Sequence, residues 1–312
     1  MRLVTYSVGP AGPPRAGVRV GHRILDIEAA SRVKGEPLPS SIRTLLAAGR
    51  GALSRVQALA KAATTEARSF SHAMHEERAI RLLPPVPDAD RFVCVDADFR
   101  APPDKRAGHG SSGEPGMQPG AFPKLNASLV GHDARVARPQ GIARLDCEPR
   151  LAFVIGRHAL GVASGDAMEH VAGVTLLSDI SCRDLQKRDE AAGAGARTER
   201  NFPGFSPLGP EIVTLDEIVD AQDLWITFWV NGTERRRASA GEQFLRFPAI
   251  LEHFCRDLPV EPGDLFCLGA PGTAGAGEAG AGGQFLEPGD VVECSIQGVA
   301  SLRTTIVAPG QG

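Results

Sequence analysis

The feature that most constrains the fold is the alternation of short apolar runs with turn residues along most of the chain. Residues 151–155, 174–177 and 224–230 are three such runs, and glycine, proline, aspartate or asparagine residues lie between them. Short apolar runs bounded by turn residues are typical of β-strands. The third run ends at Asn231-Gly232, a dipeptide that favours a tight β-hairpin. The pattern predicts an α+β fold that is mostly β.

The beginning of the chain has a different pattern. Residues 16–27 alternate as a hairpin would, and residues 53–67 carry apolar side chains at helical spacing. Residues 84–87, Pro-Pro-Val-Pro, form a stiff extended segment that suits a linker. We therefore predict a small α+β domain with its linker at residues 1–87 and a larger domain at residues 88–312.

Composition excludes several classes of protein. The chain has 34 basic and 37 acidic residues and a formal net charge of −3, whereas nucleic-acid-binding proteins usually show a basic surplus. No apolar run reaches the roughly 18–20 residues of a transmembrane helix. The first residues form a strand-like stretch rather than a charged and then apolar leader. We expect a cytoplasmic protein without a nucleic-acid or membrane partner.

The six cysteines lie far apart in the sequence, mostly within apolar runs, and no two have the spacing of a zinc knuckle. They are Cys94, Cys147, Cys182, Cys255, Cys267 and Cys294. In a chain of this length, such a distribution predicts buried free thiols in a reducing compartment rather than a disulfide framework.

Five motifs carry the functional information. They are LDCEPRLAFVIG at residues 145–156, SDISCRDLQKRD at 178–189, FSPLGP at 205–210, LGAPG at 268–272 and LEPGDVVE at 286–293. In this order and at these intervals, the chain resembles the fumarylacetoacetate hydrolase superfamily. The resemblance covers roughly residues 90–307, and the small leading unit also fits the family's N-terminal domain.

The resemblance implies a mixed β-roll of the fumarylacetoacetate hydrolase type and a homodimer formed through the large domain. Members of the family cleave a carbon–carbon bond next to a carbonyl in a 2-oxo or 1,3-diketo acid, and relatives decarboxylate, isomerise or hydrate similar acids. A divalent cation with oxygen ligands stabilises the enolate in these reactions. Two glutamates one residue apart on a strand, and an aspartate further along the chain, hold that cation.

The metal-ligand positions are only partly retained in this chain. Glu148 and Asp179 match, but Arg150 stands at the second glutamate, on the same strand face as Glu148. A guanidinium binds no metal, so we expect Arg150 to pair with both carboxylates and to serve as a substrate-binding cation. Alternatively, Arg150 turns outward and Asp98 or Asp146 completes a weakened site with water. The first case predicts no cofactor, and the second predicts Mg²⁺ or Mn²⁺.

The general base of the family is also replaced. A proline, Pro102, stands where many relatives have the lid histidine, and the longer lid pattern places Asp98 at a ligand position and Lys105 at the base. His109 follows in the same loop. Lys105 and His109 are therefore the candidate bases, although a lysine needs a lowered pKa for that role. An exposed loop histidine without a function is the alternative for His109.

Further positions imply contact with substrate. Arg200 matches the family's active-site lysine and is a candidate catalytic cation, while Ala270 stands where a threonine hydroxyl usually meets the substrate carboxylate. Lys124 and Gln186 match substrate-contacting positions, although a solvated lysine is the alternative for Lys124. Arg183 matches a position that we interpret as structural.

Two functional hypotheses follow. The first is an enzyme that acts on a small 2-oxo or β-dicarbonyl acid through carbon–carbon hydrolysis, decarboxylation or a related enolisation, with altered, metal-independent chemistry. The second is a catalytically degenerate family member that serves as an anion-binding or structural partner protein. Both hypotheses predict a small carboxylate or oxo-acid ligand.

Overall fold

The computed structural model describes residues 1–9, 11–96, 119–193, 198–243, 245–269 and 284–312. The strands in chain order are β1 (Arg2–Val8), β2 (Arg15–Val20), β3 (Arg23–Asp26), β4 (Met74–Glu76), β5 (Ile80–Leu83), β6 (Phe92–Asp96), β7 (Gly120–Pro123), β8 (Leu129–Val130), β9 (Ala134–Ala137), β10 (Leu145–Ile155), β11 (Val171–Cys182), β12 (Ser206–Thr214), β13 (Trp225–Val230), β14 (Thr233–Ser239), β15 (Leu265–Gly269), β16 (Val291–Ile296) and β17 (Ala300–Val307). The α-helices are α1 (Ile27–Val33), α2 (Ile42–Ala47), α3 (Gly49–Thr65), α4 (Arg183–Ala191) and α5 (Phe247–Cys255).

The helices near the beginning of the chain form where the sequence supplies caps and an apolar face. The carboxylate of Asp26 accepts a hydrogen bond from the backbone N–H of Ala29 and caps α1. Ser41 caps α2 in the same way. Helix α3 buries four side chains at helical spacing, namely Ala52, Val56, Leu59 and Ala63. These helices pack on the sheet that β1, β2 and β3 help to form.

Most of the strands belong to one large mixed sheet. Its order is β4-β3-β2-β1-β12-β11-β10-β15-β6-β7, in which β15 and β6 run parallel. Strand β1 pairs with β12 through Arg2 and Val213, so the strands of the leading segment continue the sheet of the larger part. The division into residues 1–87 and 88–312 stays a prediction.

A second sheet has the order β14-β13-β16-β17-β9. Its inner face packs with the large sheet around a core in which the rings of Phe153 and Phe247 stack with centroids 4.0 Å apart. With two mixed sheets and few helices, the structure confirms the predicted α+β, mostly β fold.

Two further features of the structure concern the cysteines and the lengths of the helices. All six cysteines are buried free thiols, as the sequence predicted. None of the helices in the described ranges is long and apolar enough to cross a bilayer.

Strands β10 and β11 are the longest strands and lie at the centre of the large sheet. Every residue of β10 is buried, and so is nearly all of β11. Their antiparallel register places Glu148 directly opposite Asp179. The pairing of these two strands therefore brings two motifs that are distant in sequence to one point.

Candidate functional site

The site is built on the facing strands β10 and β11. Glu148 and Arg150 are separated by one residue and share a strand face, and Asp179 lies across from Glu148. Glu148 and Arg150 are each 4% exposed, and Asp179 is fully buried. Three ionisable groups are thus held together away from bulk water, where each must have a partner.

Arg150 turns inward and lies between the two carboxylates. Its Nε donates to Oδ2 of Asp179 at 2.8 Å, and its Nη2 donates to Oε2 of Glu148 at 2.9 Å. The outward orientation that the sequence left open does not occur. The guanidinium of Arg150 therefore lies between these two carboxylates. In the family pattern, this sequence position belongs to the second metal-binding glutamate.

Two further cations reach the same carboxylates. Arg200 donates from Nη1 to Oδ2 of Asp179 at 2.7 Å and to Oε2 of Glu148 at 3.1 Å. The Nζ of Lys124 donates to Oδ1 of Asp179 at 2.9 Å and also to the backbone carbonyl of Arg200. Both oxygens of Asp179 are thus occupied by cationic donors.

Arg183 connects the site to the start of α4. Its Nη2 donates to Oε1 of Glu148 at 2.6 Å and to Oδ2 of Asp146 at 2.7 Å, and its Nη1 donates to Oε1 of Gln186 at 2.7 Å. Arg200 also lies 3.7 Å from Glu199 between Nε and Oε1. The charged cluster, as it is called below, consists of Lys124, Asp146, Glu148, Arg150, Asp179, Arg183, Glu199 and Arg200.

Burial and the neighbouring cations act in opposite directions on the acids. Burial raises the pKa of Glu148, but Arg200, Arg150 and Arg183 outweigh it and hold that pKa at about 2. Burial likewise raises the pKa of Asp179, and Lys124, Arg200 and Arg150 reverse the effect so that it ends below its ordinary value. Both carboxylates stay ionised at neutral pH, and neither is suited to act as a general base or acid there.

The described residues do not fit a divalent metal ion. Both oxygens of Glu148 and both oxygens of Asp179 accept hydrogen bonds from arginine or lysine. A hard cation needs several free oxygen ligands, and a nearby guanidinium repels it. Within the ranges that the structure covers, no group of three His, Cys, Asp or Glu side chains is arranged to hold a metal.

The structure brings together five of the predicted site residues and places a sixth, Gln186, beside them. Glu148, Arg150, Asp179, Lys124 and Arg200 all lie in the charged cluster, and Gln186 contacts it through Arg183. Arg183, interpreted as structural, forms part of the cluster itself. The remaining candidates, which are Asp98, Lys105, His109 and Ala270, lie outside the described residues.

Sequence reasoning missed two residues. The ring of Phe122 lies 5.5 Å from the guanidinium carbon of Arg150 and 5.4 Å from that of Arg200. Arg236, on β14, is an electrostatic neighbour of the cluster. Phe122 lies two residues before Lys124, and this spacing could have indicated that Phe122 is near the site. The position of Arg236 depends on the register of its strand, which the sequence of that segment does not reveal.

Comparison with known proteins agrees with this architecture. A model of the fumarylacetoacetate hydrolase C-terminal family matches residues 92–307. A mitochondrial oxaloacetate tautomerase of Xenopus laevis is 28% identical and covers 98% of this chain and 90% of its own length. The oxaloacetate tautomerase YisK of Bacillus subtilis is also 28% identical, over 91% of this chain and 93% of its own.

Solved structures share the fold. A maleylpyruvate hydrolase from Sphingobium sp. SYK-6 superposes with a TM-score of 0.73 at 23% identity, covering 99% of this chain and all of its own. The same enzyme has been solved with manganese(II) and pyruvate, and that structure gives a TM-score of 0.72, again at 23% identity and covering 99% of both chains. Because the family model spans most of the chain, this protein belongs to the fumarylacetoacetate hydrolase family.

Proposed function

We propose that the protein is an enzyme that enolises a small 2-oxo or β-dicarbonyl acid, with the fixed cations of the charged cluster in place of a divalent metal. The observation that carries this proposal is the position of Arg150 between Glu148 and Asp179. The similar proteins support the substrate class, since two are oxaloacetate tautomerases and one structure holds pyruvate. Enolisation is the step that tautomerisation, decarboxylation and cleavage next to a carbonyl have in common.

The cluster supplies preorganised positive charge. An enolate develops negative charge on oxygen, and donors that are already in place stabilise it without a reorganisation cost at the moment of reaction. Glu148 and Asp179 hold the guanidinium groups of Arg150 and Arg200 rigidly. Burial lowers the pKa of Arg200, but Glu148 and Asp179 raise it above its ordinary value, so it stays charged. In this mechanism the two acids act as positioning residues.

The proton must be moved by another group. Carboxylates with lowered pKa values are poor bases at neutral pH, which removes Glu148 and Asp179 from that role. Lys105 and His109 therefore stay the proposed bases, and Arg200 stays the proposed catalytic cation. The proposed substrate contacts are Lys124, Arg150, Gln186 and Ala270. Homodimer formation and a cytoplasmic location stay expectations from the sequence.

A second candidate function has an observation of its own. In the charged cluster the four basic side chains are matched by four acidic ones, most of them almost completely buried. A neutral network of buried ion pairs of this kind also fits a family member that has lost the chemistry and keeps the cluster for structural specificity or for anion binding.

One assay separates the two candidates. Turnover of oxaloacetate enol and of an acylpyruvate is measured with a chelator and with added Mg²⁺ or Mn²⁺, for the wild type, Arg150→Lys and the surface control Arg157→Lys. The proposal predicts equal wild-type turnover with chelator and with metal, a large loss in Arg150→Lys and none in Arg157→Lys. Turnover only with metal contradicts the metal-independent mechanism. No turnover of either compound favours the second candidate.

A further inference from the structure

Arg236 lies on the inner face of β14. The register pairs Arg236 with Phe228 and Arg237 with Thr227. Phe228 is 1% exposed and belongs to the core between the sheets, so Arg236 shares the face that points inward. Arg237 lies over the ring of Trp225, 5.0 Å from its centroid, on the opposite face. Two adjacent arginines thus have different surroundings.

The inner arginine approaches the charged cluster without being neutralised by it. Among the residues that the structure describes, Asp146, Glu148 and Arg183 act electrostatically on Arg236. Both acids already accept hydrogen bonds from Arg183. Among the described residues, the buried Nη1 of Arg236 has no hydrogen-bond partner. Burial lowers the pKa of this guanidinium, in contrast to the raised pKa of Arg183.

Arg236 changes the charge balance at this end of the site. The charged cluster is neutral by itself, so one more guanidinium leaves a positive surplus among the described residues. Arg183, which acts on Arg236, is the most exposed side chain of the cluster at 12%, whereas Lys124 and Asp179 are fully buried. The surplus charge therefore lies beside the most accessible member of the cluster.

We propose that Arg236 binds the second carboxylate of a dicarboxylic substrate, so that the site prefers 2-oxo dicarboxylates to 2-oxo monocarboxylates. This inference rests on the proposed function and names its substrate class. A guanidinium can hold a carboxylate through two parallel hydrogen bonds. A substrate that lacks this carboxylate leaves the buried Nη1 of Arg236 without a hydrogen-bond partner among the described residues, which is a strong basis for discrimination.

The test measures binding rather than turnover. Calorimetric titrations of oxaloacetate and of pyruvate, which differ by one carboxylate, are made with the wild type, Arg236→Gln, Arg236→Lys and the neighbouring control Arg237→Gln. The wild type and Arg237→Gln should bind oxaloacetate on the order of tenfold to a hundredfold more tightly than pyruvate, as expected for a charge-assisted hydrogen-bonded pair. Arg236→Gln should lose this preference and leave pyruvate affinity within about twofold. Arg236→Lys should keep part of it.

Thermal unfolding of the same variants distinguishes a substrate-binding role of Arg236 from a purely structural role. Replacing a partly buried cation whose net environment disfavours its charge by a neutral amide should leave the melting temperature unchanged or raise it, because the desolvation cost is removed. Equal wild-type affinity for both acids, a preference that survives in Arg236→Gln, or an equal loss for both acids overturns the role of Arg236 and leaves the proposed function intact. No wild-type binding of either acid overturns both proposals.

Discussion

The charged cluster and the pair formed by Arg303 and Asp133 contain similar contacts in very different surroundings. Arg150 bonds its two carboxylates at 2.8 and 2.9 Å, and Arg303 bonds Asp133 at 2.5 and 3.0 Å. The side chain of Arg150 is 4% exposed, whereas that of Arg303 is 50% exposed. Distance alone therefore does not distinguish the two regions, and access to water does.

The difference in access determines what each region can do. Around Arg303, water screens the charges and replaces a lost partner, so the pair contributes little to stability. Around Arg150, each charge depends on its protein partners, because burial without them is costly. A cation held in this way is both a structural necessity and a fixed source of positive charge. These two properties can be separated experimentally.

The largest effect is expected from removing the central guanidinium. Arg150→Met leaves Glu148 and Asp179 with one cation fewer in a buried site, and we expect the free energy of unfolding to fall by roughly 3–5 kcal/mol. Urea unfolding monitored by circular dichroism measures this change. A loss below about 1 kcal/mol would show that the buried pairing behaves like a surface pair.

A pH effect of intermediate size should arise from Glu148. Its pKa in the folded protein is about 2, below the ordinary 4.5, so its ionised form stabilises the fold above pH 4.5. That contribution is lost as the pH falls from 4.5 toward 2, with about 2 kcal/mol gone by pH 3. The stability difference between wild type and Glu148→Gln should therefore shrink between pH 6 and pH 3. A difference that is constant over this interval contradicts the pairing.

The smallest effect is expected at the surface. Arg303→Met removes the exposed pair with Asp133, and the free energy of unfolding should change by less than about 1 kcal/mol. It serves as the matched control for Arg150→Met in the same urea experiment. A loss as large as that of Arg150→Met would mean that burial is not what separates the two regions.

Part of this comparison could be predicted from the sequence. The apolar block that follows Arg150 determines its alignment with the family motif, and a strand pair then places Glu148 near Asp179. Chemistry limited Arg150 to two orientations, but only the structure selects the inward one. Arg200 and Lys124 belong to segments that are distant in the chain, and they reach the same acids through tertiary packing.

Other features were beyond sequence reasoning for a physical reason. Arg236 is one of three consecutive arginines, and nothing in those letters shows which one points inward. The direction is set by the pairing of β14 with β13 and by the irregularity after Phe228. A shift of one residue would have turned Arg237 inward instead. Register of this kind comes from the whole sheet rather than from a local motif.

We propose that Arg150 takes the place of a divalent metal, and metal binding tests this most directly. Mg²⁺ and Mn²⁺ are titrated calorimetrically into chelator-treated wild type, Arg150→Glu and the surface control Arg157→Glu, which has the same change of charge. Two unit charges about 4 Å apart interact by about 4 kcal/mol at an effective dielectric constant near 20, which corresponds to nearly a thousandfold in affinity. We expect no binding by the wild type or Arg157→Glu and measurable binding by Arg150→Glu. Stoichiometric, micromolar binding of either metal by the wild type would contradict it.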